Sequence, residues 1–168
     1  MNKRVLAGFR VENVRHPPRP EQVDQAVQLW LAEQVLTEAE AKRRASELLL
    51  VAIEDNSDRL VGICTTYLAT PPTLRMPLWH FRTFVEPRYR EKDVAFHLLH
   101  GARDFHQEQF VSGADTRGRG LYMEIENPVI QKYRNEAVWP SSRMTFVGYN
   151  ARGDHCRVFY FPGVRVSS

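Results

Sequence analysis

Two hydrophobic periods alternate along the chain and lay out its elements. Arg4 to Val14 alternates loosely in the manner of a first strand, and His16-Pro17-Pro18-Arg19-Pro20 interrupts it. Pro20 suits the first position of a helix, and Val23, Ala26, Val27, Trp30 and Leu31 then recur at helical spacing up to Gln34. Thr37-Glu38-Ala39-Glu40 has the form of a capping box, opening a second helix from Glu38 to Glu47. Leu48 to Glu54 is a continuous apolar run, Asp55-Asn56-Ser57-Asp58 a turn, and Arg59 to Leu68 a return strand rich in β-branched residues. Ala69 to Pro77 carries three prolines and reads as a stiff loop.

The fourth strand is Leu78 to Val85, where Trp79, Phe81, Phe84 and Val85 suit a pleated, half-buried surface. Pro87 cannot donate to a ladder, so pairing stops there. From Val94 onward, Val94, Ala95, Leu98, Leu99, Ala102 and Phe105 share one helical face, while His97, His100, Arg103, Asp104, Gln107 and Glu108 share the other. Asp93 stands at the N-cap position of this third helix, whose first amides open toward the basic loop from Arg88 to Lys92. A helix N-terminus behind such a loop suits an anion.

Beyond a polar link, Leu121 to Glu126 alternates as a fifth strand, with Tyr122, Glu124 and Glu126 on one face and Leu121, Met123 and Ile125 on the other. Asn127-Pro128 ends it, a short helix follows from Pro128 to Ala137, and Met144 to Tyr149 with His155 to Phe161 form a closing hairpin. The expected order is β-α-α-β-β-β-α-β-α-β-β.

Bulk properties narrow the class. A chain of 168 residues, 43% hydrophobic and 26% charged, has the composition of one soluble globular domain that needs neither disulfides nor metal to fold. A formal charge of +3 favours anionic partners mildly, and because the basic residues are dispersed it argues against nucleic acid. The two cysteines, Cys64 and Cys156, fall in expected strands without a CxxC pattern and read as buried thiols of a reducing cytoplasm. The N-terminal residues show neither a secretion signal nor a membrane span, so the expected location is cytoplasmic.

Arg90-Glu91-Lys92-Asp93-Val94-Ala95, led in by Val85-Glu86-Pro87-Arg88-Tyr89, resembles the pyrophosphate-binding motif of the GNAT superfamily of acetyl-CoA-dependent N-acyltransferases. That motif runs Gln or Arg, two residues, Gly, one residue, then Gly or Ala, on the turn from the fourth strand into the third helix. Asp93 occupies the place of its middle glycine, adding bulk and negative charge where phosphates approach.

The resemblance covers nearly the whole chain. It implies a single α/β domain over residues 1–168, a mixed, mostly antiparallel sheet with helices on both faces and a splayed gap between strands four and five. It further implies acetyl transfer from acetyl-CoA to a small-molecule or peptide amine; a homodimer is compatible with it. Residues Arg90, Glu91, Lys92, Asp93, Val94 and Ala95 become candidates for the coenzyme cradle, Phe84 and Val85 for the backbone along pantetheine and the oxyanion, and Asn127 for a further coenzyme contact. Tyr133 is the candidate acid for the departing thiolate, one residue closer to the fifth strand than the family spacing.

The base is less defined. Family members carry Glu or His on strand four where this chain has Trp79 and Phe81, and His80 points to the opposite face. Glu124 and Glu126 are the candidates that remain on the neighbouring strand, with Glu86 at the strand end. Trp30 has two readings, a wall of the acceptor site by resemblance or a core residue by composition. His97, His100 and Asp104 have a spacing that can chelate zinc, but they lie on the polar face without a further ligand, so no metal is expected. The alternative to an enzyme is a GNAT-fold binding or regulatory module, suggested by Asp93 and by the missing base on strand four.

Overall fold

A computed structural model describes residues 8–166. The elements follow in the order β1 (Phe9–Asn13), α1 (Pro20–Ala32), α2 (Glu38–Ala45), β2 (Leu48–Glu54), β3 (Leu60–Ala69), β4 (Leu78–Val85), a 3-10 helix (Pro87–Lys92), α3 (Val94–Ser112), β5 (Gly120–Ile125), α4 (Pro128–Tyr133), β6 (Thr145–Tyr149) and β7 (His155–Tyr160). The strands are ordered β1-β2-β3-β4-β5-β7-β6 in one seven-stranded sheet. The pair β4 and β5 is parallel, while β1–β2, β2–β3, β5–β7 and β6–β7 are antiparallel. This is the mixed, mostly antiparallel arrangement expected. Of the expected first strand, Arg4 to Ala7 lie outside the described residues.

The chain divides into two compact units, residues 1–66 with 82–102 and residues 67–81 with 103–168. The strands β3 and β4 and the helix α3 each begin in one unit and end in the other.

In the first unit, alternation along β2 decides which helix meets which face. Val51 and Ile53 join Val14, Ala26, Trp30, Ala41, Leu48 and Ile63 in a core cluster with α1 and α2. Trp30, 3% exposed, is therefore a packing residue of this layer. The other face receives α3, and there small residues set the distance. A Cβ added at Gly62 would lie 2.9 Å from Val94 Cγ1 and 3.2 Å from both Ala52 Cβ and Leu98 Cδ1. A Cβ at Gly101 would lie 2.8 Å from Leu50 Cδ1. Glycine at position 62 thus lets α3 seat directly on the strands. Helices accordingly cover both faces of this part of the sheet.

The capping box at α2 is half formed. Thr37 Oγ1 accepts from the Glu40 amide at 3.3 Å, but the Glu40 carboxylate turns to Arg43 and Arg44 at 2.8 and 2.7 Å. Those two guanidinium groups hold its pKa down to about 2.

In the second unit, β4 and β5 pair at Trp79–Leu121 and His80–Tyr122. Trp79 is stacked on His106 with ring centroids 4.4 Å apart, and Arg117 lies 5.4 Å from its ring centroid. A Cβ at Gly118 would come within 2.4 Å of the same indole, which requires glycine there. A second cluster gathers Met76, Leu78, Tyr122, Cys156 and Val158.

Candidate active site

The join between β4 and α3, within the first unit, is built from a strand end, one turn of 3-10 helix and a helix start. The Glu86 amide donates to the Val61 carbonyl at 2.9 Å, which closes the strand, and Pro87 opens the 3-10 turn. Asp93 closes that turn with φ 57° and ψ 17°, the left-handed region. Its carbonyl accepts the amide of His97 at 3.1 Å, so it does stand at the head of α3. Its backbone, however, differs from the extended geometry from which a capping side chain ordinarily reaches the following amides. Left-handed backbone is what glycine adopts without penalty, and aspartate is among the few other residues that enter it readily.

The basic residues of this loop are engaged with the loop itself. Arg59 Nη1 and Arg88 Nη2 both lie 2.7 Å from the carboxylate of Glu86, a residue only 4% exposed. Buried between these two guanidinium groups, Glu86 serves as the counter-ion of Arg59 and Arg88. Arg90 Nε donates to the Val85 carbonyl at 3.1 Å, and its guanidinium lies 5.8 Å from the Phe84 ring centroid. That bond uses one of five guanidinium N–H donors. Lys92 Nζ sits 5.0 Å from the ring centroid of the buried Tyr89, whose hydroxyl donates to Glu54. A surface cavity of about 430 Å³ lies beside the loop, lined by Phe9, Lys92, Asp93 and His97. The amides of Val94 and Ala95 belong to the first turn of the 19-residue α3, where backbone donors have no partner within the helix.

The candidate proton-transfer groups belong to the second unit. Tyr122 donates to Glu124 Oε1 at 3.1 Å, and burial pushes its phenol well above the ordinary range. Arg152, from the β6–β7 turn, lies 3.3 Å from Glu124, 3.0 Å from Glu126 and 2.9 Å from Asp154, gathering three carboxylates on one guanidinium. His80 lies between Tyr67 and Tyr122, with ring centroids 4.9 and 4.6 Å away.

Asn127 caps α4, its Oδ1 accepting from the Val129 amide at 2.9 Å. Tyr133 is the last residue of that helix and is 68% exposed, with Lys132 Nζ 5.2 Å from its ring centroid. The helix is four residues shorter than the sequence pattern suggests. The Arg134 carbonyl, just beyond it, accepts from Trp139 Nε1 at 2.8 Å and from Arg157 Nη2 at 3.1 Å, and these contacts take the chain out of the helix.

Sequence reasoning missed Arg152, Arg157 and the Arg90–Val85 bond. Arg152 reaches Glu124 and Glu126 across 28 and 26 residues and Arg157 reaches the Arg134 carbonyl across 23, and neither spacing nor periodicity reports such contacts. Among the described residues no group of three or more His, Cys, Asp or Glu side chains is placed to hold a metal ion. His97 instead packs against Phe9, with ring centroids 5.6 Å apart. Among the same residues no helix is long and apolar enough to cross a membrane. Both cysteines are free thiols, and burial pushes Cys64 up to about 12, which keeps it unreactive.

No family model matches the sequence, and no curated protein matches it. Solved structures do. A GNAT-family acetyltransferase from Streptococcus pneumoniae superposes with a TM-score of 0.59 at 13% identity, covering 91% of this chain and 99% of that one. Mosquito arylalkylamine N-acetyltransferase like 5b gives 0.64 at 10% identity, covering 91% and 100%. Arabidopsis thaliana NAA60, solved in complex with acetyl-CoA, gives 0.55 at 15% identity, covering 92% and 98%. At identities this low the likeness is one of architecture, and what it establishes is that this chain has the fold of the GNAT-family acetyltransferases.

Proposed function

We propose that residues 1–168 act as one acyltransferase domain that moves an acetyl group from acetyl-CoA to an amine. The observation that carries this reading is the β4–α3 join: a strand end, a tight turn closed by a left-handed residue, and a long helix whose first amides have no partner within the helix itself. The GNAT fold around it, and a structural neighbour solved with acetyl-CoA, support the same reading.

In this reading the Val94 and Ala95 amides, with the remaining N–H groups of Arg90 and the ammonium of Lys92, take the coenzyme diphosphate. Glu91 contributes its backbone, as does Asp93. The backbone of Phe84 and Val85 lies along the pantetheine arm, the Val85 carbonyl already accepting from Arg90. Asn127 adds a coenzyme contact through the polar groups that its capping bond leaves over.

The acceptor nitrogen attacks the thioester carbonyl with its lone pair, and backbone donors carry the charge that develops on oxygen. The carbon–sulfur bond then breaks, and the sulfur takes the phenolic proton of Tyr133. The proton lost by the amine passes to Glu124, directly or through water. Glu124 is preferred to Glu126 because Tyr122 and Arg152 orient it, and Glu126 shares Arg152 as a second anchor. The protein contributes positioning and proton transfer rather than a covalent intermediate.

A second reading rests on a specific observation. Asp93 puts a carboxylate where the diphosphate approaches, and Arg88 is paired with Glu86, so a GNAT-fold binding module without turnover accounts for the loop as well. A thiol-release assay over a panel of amines separates the two. Acetyl-CoA-dependent thiol release stimulated by at least one amine, and lowered in Tyr133→Phe, supports the enzyme; coenzyme binding without thiol release on any amine supports the module.

A further inference from the structure

The helix α4 has no hydrophobic anchor of its own. None of its residues is buried, and Val129, Ile130 and Tyr133 are 59%, 36% and 68% exposed. What holds it is polar. At its start Asn127 caps the helix and Gln131 Nε2 donates to the Ile125 carbonyl at 2.6 Å. At its end stands Arg157.

Arg157 is 1% exposed, yet none of its hydrogen bonds within the described residues goes to a carboxylate. Its Nη2 donates to the Arg134 carbonyl at 3.1 Å and its Nη1 to the Met144 carbonyl at 3.3 Å, while Nε has no hydrogen-bond partner among the described residues. The guanidinium lies 4.4 Å from the ring centroid of Trp139, a residue whose Nε1 donates to the same Arg134 carbonyl at 2.8 Å. Glu136 supplies a longer-range attraction. A guanidinium stays charged under any ordinary condition, and a buried charge paired only with carbonyls and an aromatic face is expensive. Methionine or leucine would fill the same space at lower cost. The compensation is geometric, because two donors converge on the one carbonyl that directly follows Tyr133.

We propose that Arg157 is a positioning residue: through the Arg134 carbonyl and the Trp139 ring it fixes the last turn of α4, and with it the direction of the Tyr133 hydroxyl. The proposal rests on the assignment of Tyr133 as proton donor, but the tether itself is a separate claim with its own readout.

The test places Arg157→Met in wild-type and Tyr133→Phe backgrounds and separates kcat from the KM for acetyl-CoA. Misdirecting a catalytic group by about an ångström lowers kcat on the order of 10- to 100-fold, and the KM should move less than about twofold. If Arg157 acts through Tyr133, the double variant is no slower than Tyr133→Phe alone. Independent, multiplying losses, or a loss that appears in KM, would overturn the proposal. Trp139→Phe keeps the ring and removes one donor, so it should show the same pattern more weakly, and it carries the test if Arg157→Met does not fold.

Amide hydrogen exchange covers the case of a protein without turnover. Both variants should speed exchange at residues 131–135 and leave the β5 amides of Leu121 to Glu124 unchanged. Uniform acceleration, or none, contradicts the tether whether or not the protein is an enzyme.

Discussion

The helices α3 and α4 are held in opposite ways, and the difference shows how this fold divides its work. The first half of α3 is seated by packing: Val94, Leu98 and Ala102 are fully buried, and Gly62 lets the helix meet the strands without a side chain between. The helix α4 buries nothing and is tied at each end by hydrogen bonds to carbonyls and an amide. An element set by packing fails as stability, because its contacts are part of the core. An element set by tethers fails as geometry, because its bonds direct a side chain but contribute little to burial.

The comparison breaks if substitutions at the two helices have interchangeable effects. Gly62→Val should be the most damaging, since its side chain must displace Val94 and Leu98; overpacking of this kind costs about 2–3 kcal/mol, read as a lower midpoint of urea unfolding. Tyr133→Phe should lower kcat by about 10- to 100-fold and leave the unfolding midpoint within about 0.5 kcal/mol of wild type, because the ring is exposed. A loss of stability there, or unchanged turnover, would place Tyr133 among packing residues.

Asp93→Gly sharpens the account of the loop. Glycine adopts the left-handed backbone freely, so the variant should gain on the order of 0.5–1 kcal/mol in stability. Removing a carboxylate beside the proposed phosphate site should tighten coenzyme binding by about threefold to tenfold, the size of a charge–charge repulsion acting over about 4–5 Å in water. Weaker binding in this variant would mean that the carboxylate takes part in recognition.

A further expectation concerns alkaline pH. Cys64 is pushed up to about 12 by burial from an ordinary 9.0, so the folded state keeps its proton longer than the unfolded chain does. Its contribution is therefore whole below pH 9.0 and is lost as pH rises toward about 12. Cys64→Ala should flatten the alkaline limb of the stability profile; an unchanged limb would show that other groups set it.

Much of the scaffold was legible because its signals are local. The strands β2 and β4 have the bounds expected from an apolar run ending at an acidic turn and from an aromatic run ending before Pro87. The start of α3 at Val94 followed from the periodicity of Val94, Leu98 and Ala102. The left-handed backbone of Asp93 was hidden because only a glycine would have announced it. The end of α4 was overrun because no Gly or Pro stands between Arg134 and Ala137 to mark a stop, whereas the chain leaves the helix where Trp139 and Arg157 bond the Arg134 carbonyl. For the candidate site the sequence named a loop and two carboxylates, but the contacts that orient them in the structure were not legible. Arg152 reaches Glu124 and Glu126 across 28 and 26 residues, a distance at which spacing carries no information.

The central claim, that the β4–α3 join holds a coenzyme diphosphate, is tested most directly by calorimetric titration of acetyl-CoA into wild-type protein and Arg90→Glu. The account predicts saturable binding to the wild type and a loss of about tenfold or more in the variant, the effect of reversing a charge beside a phosphate at roughly 1.4 kcal/mol or above. No heat at millimolar ligand with the wild type, or equal affinity in the two proteins, would contradict it.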